Sequence, residues 1–434
     1  MIRLAALLVL ILALPARAEL AIQTVTSPGG ISAWLVESRD IPFVALELQF
    51  RGGTSLDPEG QEGAVNLMAA LIEEGAGDLD ARAFAAAAED LAASFRFSAG
   101  RDSVSVSARF LTEAREDSVA LLRLALAEPR FDGDAVERVR AQVLSNLRQS
   151  ARRPQTIASD RFAALAFPGH PYGRSETEAT VAALTRENLI AAHRGALARD
   201  RVFVAAVGDI DAATLGTVID ALLGDLPAAG APLPAPAEAA LAGGLTVVPF
   251  AGPQSLIAFG QPGIARDDPD FLVASMVNEV LGGGRFGTRL TVEVREKRGL
   301  TYGIFSALAS GEFGATITGR VSTDNGTAGE VVEIIRAEWA RIAREGITAE
   351  ELAALQTYQT GAYPLRFDGN ARIAEILVGM QMQGLDAGYP QRRNDLVRAI
   401  TLDEANRVAA RLYDPDRLTF VIVGEPQGVS AEGQ

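Results

Sequence analysis

Three runs of the chain alternate between apolar and polar positions: residues 44–50, 104–110 and 314–321. That period of two belongs to strands with one face buried. Between and after them lie alanine-rich stretches whose apolar residues recur at helical spacing. They cover residues 63–72, 81–92 and 135–149 in the first half, and 328–345 and 349–356 in the second. Each half therefore reads as a strand or hairpin, then helices, more strands, more helices and a last strand. This order predicts two α+β domains, and it leaves the order of strands within each sheet open.

A segment without apolar periodicity separates the halves. Residues 226–244 carry Pro227, Pro232, Pro234 and Pro236 among alanines and glycines, the composition of a linker. The expected division is a leader at 1–18, a first domain at 19–225, a linker at 226–244 and a second domain at 245–434. The two halves also repeat each other. The stretch from Val181 to Glu187 matches that from Val397 to Asp403 without a gap, an offset of 216 residues (397 − 181). At the same offset Asp200 and Arg201 fall on Asp416 and Arg417, and the strand-like run ending Val207-Gly208-Asp209 falls on the one ending Val423-Gly424-Glu425. Each copy thus shows a Thr-capped helix with an acid two residues on, a short loop and a strand ended by glycine. Two homologous domains related by internal duplication account for that register.

Composition narrows the function. With 434 residues, 48% of them hydrophobic, the chain has ample material for a core, and its net charge of −15 argues against nucleic acid as a partner. Arg3, the apolar run from Leu4 to Leu14 and the Ala16-Arg17-Ala18 site read as a cleavable export signal, with cleavage expected before Glu19. The apolar run is too short to span a bilayer, which takes about 20 residues. The chain also has no cysteine to carry a lipid or a disulfide. A periplasmic location is expected.

Four blocks carry chemistry: Arg51-Gly-Gly-Thr-Ser-Leu-Asp-Pro58; Phe167-Pro-Gly-His-Pro-Tyr-Gly-Arg174; Val207-Gly-Asp209; and the segment from Leu281 through Gly282, Gly283 and Gly284 to Tyr302. In this order and spacing they resemble the insulinase/pitrilysin metallopeptidases, in particular the two-domain processing-peptidase type, across nearly the whole mature chain. Active members of that family carry H-x-x-E-H on the first long helix, where two imidazoles one turn apart bind zinc and the glutamate serves as base. On the helix opening at Gly63 the resemblance places those positions on Asn66, Ala69 and Ala70, so both ligands and the base are missing. The family's third ligand, a later glutamate, falls on Asn146, with a slip of one residue allowed, in a run that holds no carboxylate. The chain has two histidines, His170 and His193. The first is expected to be structural, the second a surface or half-buried helical residue. Glu73 and Glu74 read as a solvated helix end. No metal is expected in this chain.

The resemblance also assigns what has been kept. Active members use an arginine and a tyrosine seven residues apart to stabilise the oxyanion that zinc-assisted peptide hydrolysis creates, and here Arg295 and Tyr302 stand at that spacing. The Gly282–Gly284 turn is either a close-approach site for a peptide or ordinary architecture. The expected function is the non-catalytic subunit of a heterodimer. It would be inactive alone, would close a chamber over unfolded peptides and would lend Arg295 and Tyr302 to a homologous partner that carries H-x-x-E-H and the zinc. A proteolytically inactive peptide-binding or scaffold protein of the envelope is the competing expectation.

Overall fold

The computed structural model of the protein describes residues 20–429, so the export signal read at 1–18 lies outside the described residues. The first half forms strands β1 (Gln23–Thr26), β2 (Ser32–Glu37), β3 (Phe43–Arg51), the short pair β4 (Gly75–Ala76) and β5 (Leu79–Asp80), β6 (Ser94–Ala99), β7 (Ser103–Leu111) and β8 (Val202–Gly208). Its helices are α1 (Ala64–Leu71), α2 (Ala81–Asp90), α3 (Arg115–Ala127), α4 (Gly133–Ser150), α5 (Pro154–Ala166), α6 (Glu178–Ala183), α7 (Arg186–Ala196) and α8 (Ala212–Leu223). The second half adds β9 (Gly244–Pro249), β10 (Gln254–Pro262), β11 (Ile304–Ser310), β12 (Ala315–Asp324) and β13 (Thr419–Gly424). Its helices are α9 (Phe271–Gly282), α10 (Ala328–Glu345), α11 (Ala349–Ala362), α12 (Asn370–Met382), α13 (Tyr389–Ala399) and α14 (Leu402–Leu412).

The strand order that the sequence leaves open is the same in both sheets. The first runs β1-β2-β8-β3-β7-β6 and the second, read from its far edge, β9-β13-β10-β12-β11. In each, the last strand of the half pairs parallel with the first of the shared five, and the other pairings are antiparallel. Two α+β units of one topology, with β1 as an extra edge strand on the first, fit the expected duplication. The repeat holds at the level of caps: Thr185 and Thr401, 216 positions apart (401 − 185), each close a reciprocal capping box at the start of α7 and α14. Gly208 and Gly424 end the last strands at φ 139° and 156°, at the edge of the backbone range that side chains avoid.

Burial explains the alternation. In β3, Val44, Leu46, Leu48 and Phe50 are buried beneath the helices of the first half, including α1 and α3. The opposite face, with Ala45 and Glu47, is also covered, and the cover comes from the other half. Helix α12 lays Ala374, Leu377 and Val378 against Trp34, Val36, Ala45, Ala205 and Val207 of the first sheet. Reciprocally, α5 lays Ala158, Phe162 and Ala166 against Leu256, Ala258, Val421 and Val423 of the second. Phe162 fits because Gly260 has no side chain: a Cβ there would stand 2.8 Å from Phe162 Cζ and would press on the Ile317 carbonyl. The two exchanged helices are repeats of each other, since Pro154 and Ala166 map onto Asn370 and Met382 at the same offset of 216 (370 − 154).

Helix α11 outruns its expected end at residue 356. Past that point none of its residues is buried and the apolar period lapses, but the Thr357 and Thr360 hydroxyls bond back to the Ala353 and Gln356 carbonyls at 2.9 and 2.7 Å. The segment between α8 and β9 has neither helix nor strand, yet it is tied down. Ala237 donates to the Phe313 carbonyl and Ala240 to that of Ala166, both at 2.7 Å, so the segment is a strap lying across both halves.

Candidate functional site

Helix α1 begins at Gly63, whose left-handed backbone (φ 98°) leaves the first N–H groups pointing out of the helix. The buried Asp57 carboxylate takes two of them, accepting from Gly63 at 2.8 Å and Val65 at 2.9 Å. Burial pushes its pKa up to about 6 despite those bonds. One turn on, the Asn66 amide donates to both Glu176 oxygens, at 3.2 and 3.0 Å. Ala69 is buried and Ala70 half-buried, and neither offers a donor atom. Asn66, Asp57, Glu62, Arg101, Arg174 and Glu176 line a cavity of about 730 Å³.

The residues present do not fit zinc. Asn66 spends its amide on Glu176, the next two positions have no ligand atoms, and among the described residues no group of three or more His, Cys, Asp or Glu side chains is placed to hold a metal. The expected third position, Asn146 or its neighbour, lies on α4. Asn146 is exposed and accepts from Gln142 at 3.1 Å, whereas Leu147, the next along α4, lines the cavity. Either register supplies no carboxylate.

Both histidines are structural. His170 Nδ1 accepts from the Tyr172 backbone at 3.2 Å, which puts the ring proton on Nε2, 3.0 Å from the Ala235 carbonyl in the strap. His193, expected at or near the surface, is buried instead, with Nε2 2.8 Å from the Leu126 carbonyl, and burial lowers its pKa. Glu74 pairs with Arg138. The block around His170 acts as a latch, which its sequence did not disclose. Tyr172 donates to Asp102 Oδ1 at 2.5 Å and accepts from the Phe313 backbone at 3.0 Å, while Asp102 Oδ2 accepts from Glu312 at 3.1 Å. The tips of the β6–β7 and β11–β12 hairpins, one from each half, are thereby joined through one buried phenol, whose pKa burial and Asp102 both raise. Arg174 closes the block by donating to the Asp57 carbonyl at 3.0 Å.

In the second half the three glycines after α9 separate in role. A Cβ on Gly282 would fall on Ser306 Oγ and 2.9 Å from Leu290 Cδ1, and one on Gly283 would fall on the Glu279 carboxylate, so these two are glycine for packing. Gly284 is exposed and faces open space. Beyond the turn, Arg289 is buried and gripped by Glu351 through two bonds of 2.8 and 2.7 Å, which fixes the entry to a wide helical turn over Thr291–Glu296. π-type turns of this kind often mark functional sites. Arg295 sits on that turn with its guanidinium 4.9 Å from the centre of the Phe286 ring, itself 74% exposed. Glu293, on the same turn, is taken by Lys297 and Arg298 at 2.6 and 2.7 Å. Tyr302 is 94% exposed; its neighbour Thr301 anchors the backbone by donating to the Ser322 carbonyl at 2.8 Å. Neither Arg295 nor Tyr302 lines the cavity around Asn66. Arg295 is half-buried and Tyr302 exposed, so only the tyrosine is fully open to solvent.

A profile described as insulinase (peptidase family M16) matches residues 34–180, and one described as peptidase M16 inactive domain matches residues 183–358. The chain belongs to the insulinase family, peptidase family M16, as a member without the zinc-binding set. It is 23% identical over 389 residues to the non-peptidase homolog YmxG of Helicobacter pylori, an alignment covering 89% of this chain and 90% of that one. The crystal structure of a peptidase M16 inactive domain from Pseudomonas fluorescens matches with a TM-score of 0.87 at 28% identity, over 95% of this chain and 100% of that one. A protease from Helicobacter pylori shares the fold, with a TM-score of 0.81 at 16% identity over 93% and 100% of the two chains.

Proposed function

We propose that this chain is the non-catalytic subunit of a periplasmic heterodimeric zinc peptidase, closing a chamber over unfolded peptides and supplying Arg295 and Tyr302 to the zinc site of a homologous partner. The observation that carries the reading is the Arg295 and Tyr302 pair in a chain without zinc ligands on α1. Among the described residues no carboxylate bonds the Arg295 guanidinium, which lies against the Phe286 ring, and the Tyr302 phenol is 94% exposed, while the chain's own α1 has nothing for them to serve. Zinc-assisted hydrolysis puts negative charge on the scissile oxygen, and a cation with a phenolic donor beside it stabilises that charge. In this chain's share of the work Arg295 would hold the developing oxyanion and Tyr302 would donate to it; zinc and the general base would come from the partner.

The export signal read in the sequence supports the periplasmic assignment, which the N-terminal sequence of the protein recovered from a periplasmic extract would test: a start at Glu19 is expected. For the chemistry, the chain is co-purified with an H-x-x-E-H homologue from the same genome and assayed on unfolded peptides. Arg295→Ala and Tyr302→Phe, both at surface positions, are each expected to lower turnover by about 10²-fold or more, the scale of losing one oxyanion donor. A cleaving pair whose rate ignores both changes would remove the proposal. In that case the acidic 730 Å³ cavity would favour a peptide-holding scaffold.

A further inference from the structure

A second pocket, of about 320 Å³, opens between α5 and the uncovered face of β11 and β12. Its floor is apolar: Phe162 and Phe167 from α5 and its end, Phe305 and Ala309 from β11, Ala258 from β10 and Gly319 from β12. Its charged lining residues are two guanidiniums. Arg320 is held 5.1 Å above the Phe305 ring and Arg101 4.9 Å above that of Tyr172. Stacking of this kind fixes the plane of the head group and leaves its N–H edge free for a ligand.

The nearby acids are already committed. Asp102 accepts from Tyr172 and Glu312, and Glu312 pairs with Arg51 at 3.2 Å. No Asp or Glu lines the pocket itself. In a protein of net charge −15, a cleft with two cations and no anion calls for an anionic guest. The apolar floor requires that guest to carry hydrocarbon next to its charge.

We propose that this pocket binds the free C-terminus of a peptide that ends in an apolar residue, the side chain lying on the phenylalanine floor and the carboxylate bridging Arg101 and Arg320. A chain end suits the site because its carboxylate and its side chain branch from one Cα, so both fit a volume near the lower end for ligand pockets, which is about 300 Å³. An internal Asp or Glu puts its charge where the floor needs hydrocarbon. Arg101 also lines the 730 Å³ cavity around Asn66, so it stands on the ridge between the two spaces. A peptide lying in the larger cavity can pass over that ridge and end in the smaller one. The proposal rests on the peptide-handling reading above and adds to it a polarity and a preferred terminus.

The test is direct binding to the isolated full chain, without any partner, of peptides ending in leucine, as free acid and as C-terminal amide, and of decanoic acid, each followed by calorimetry. Arg101 and Arg320 are exposed, so Arg101→Gln and Arg320→Gln leave the fold intact. The free acid is expected to bind about tenfold or more tighter than the amide, and each substitution to erase that preference. Equal binding of acid and amide overturns the pocket assignment while leaving the peptide-handling reading standing. Binding of neither peptide, with arginine-dependent binding of decanoate, overturns the assignment to a peptide end in favour of a lipid-derived acid. Loss of cleavage by the co-purified pair in Arg295→Ala but not in Arg320→Gln separates the Arg295 and Tyr302 site from this pocket.

Discussion

Glu47 lies in the middle of β3, on the face that α12 covers, and is 7% exposed. Burial drives its pKa from 4.5 up to about 7, and Glu375 on α12 adds to the rise, while the Ser107 hydroxyl bond of 2.7 Å and Arg109 oppose it. A carboxyl that ionises less readily in the fold than in the open chain penalises the fold wherever the open chain is ionised. The sign follows: below pH 4.5 both states are protonated and the penalty vanishes, it grows as pH rises towards 7, and it is constant above. At about 1.4 kcal/mol per pH unit the full penalty is about 3 kcal/mol. Glu47→Gln keeps the shape and an acceptor for Ser107 and removes the charge. It is expected to stabilise the protein by about 3 kcal/mol at pH 8 and by less than about 1 kcal/mol at pH 5. Urea unfolding of both proteins at the two pH values measures this, because titrating groups that do not interact with Glu47 cancel in the difference. An equal effect at both pH values, or a loss at pH 8, would refute the claim that charge burial under α12 is the cause.

Two further outcomes test the packing. Leu377→Ala removes a fully buried side chain from the contact between α12 and the first sheet and should cost about 2–5 kcal/mol, read as a lower urea midpoint with one cooperative transition. Gly282→Ala should destabilise by about 1–3 kcal/mol because its Cβ falls on Ser306, whereas Gly284→Ala, facing open space, should leave the thermal midpoint within a degree or two.

Much of this was legible in the chain. The two-fold duplication could be read from Thr185 and Thr401 because capping boxes are local chemistry, settled within four residues. The absence of zinc ligands was equally legible, since two histidines 23 positions apart (193 − 170) cannot form the helical pair. What escaped is non-local. The apolar faces of α5 and α12 look like any amphipathic helix, and nothing in their period says that each covers the other half's sheet. His193 stands before Arg194 on a polar-looking stretch, and its burial depends on a carbonyl 67 positions away (193 − 126). Gly282 and Gly284 are alike as letters. Only the position of Ser306 tells them apart. The pocket above Phe305 draws on the β6–β7 turn, α5, β10, β11 and β12, segments up to 219 residues apart (320 − 101), so no spacing pattern could have disclosed it.

Equivalent helices traded between equivalent halves have the geometry of a domain-swapped dimer whose two copies have been joined by a strap into one chain. Such a molecule has no inner hinge to use: parting the halves would strip the cover from two sheet faces at once and break the Tyr172 latch. The two halves are therefore built to move as one stiff body.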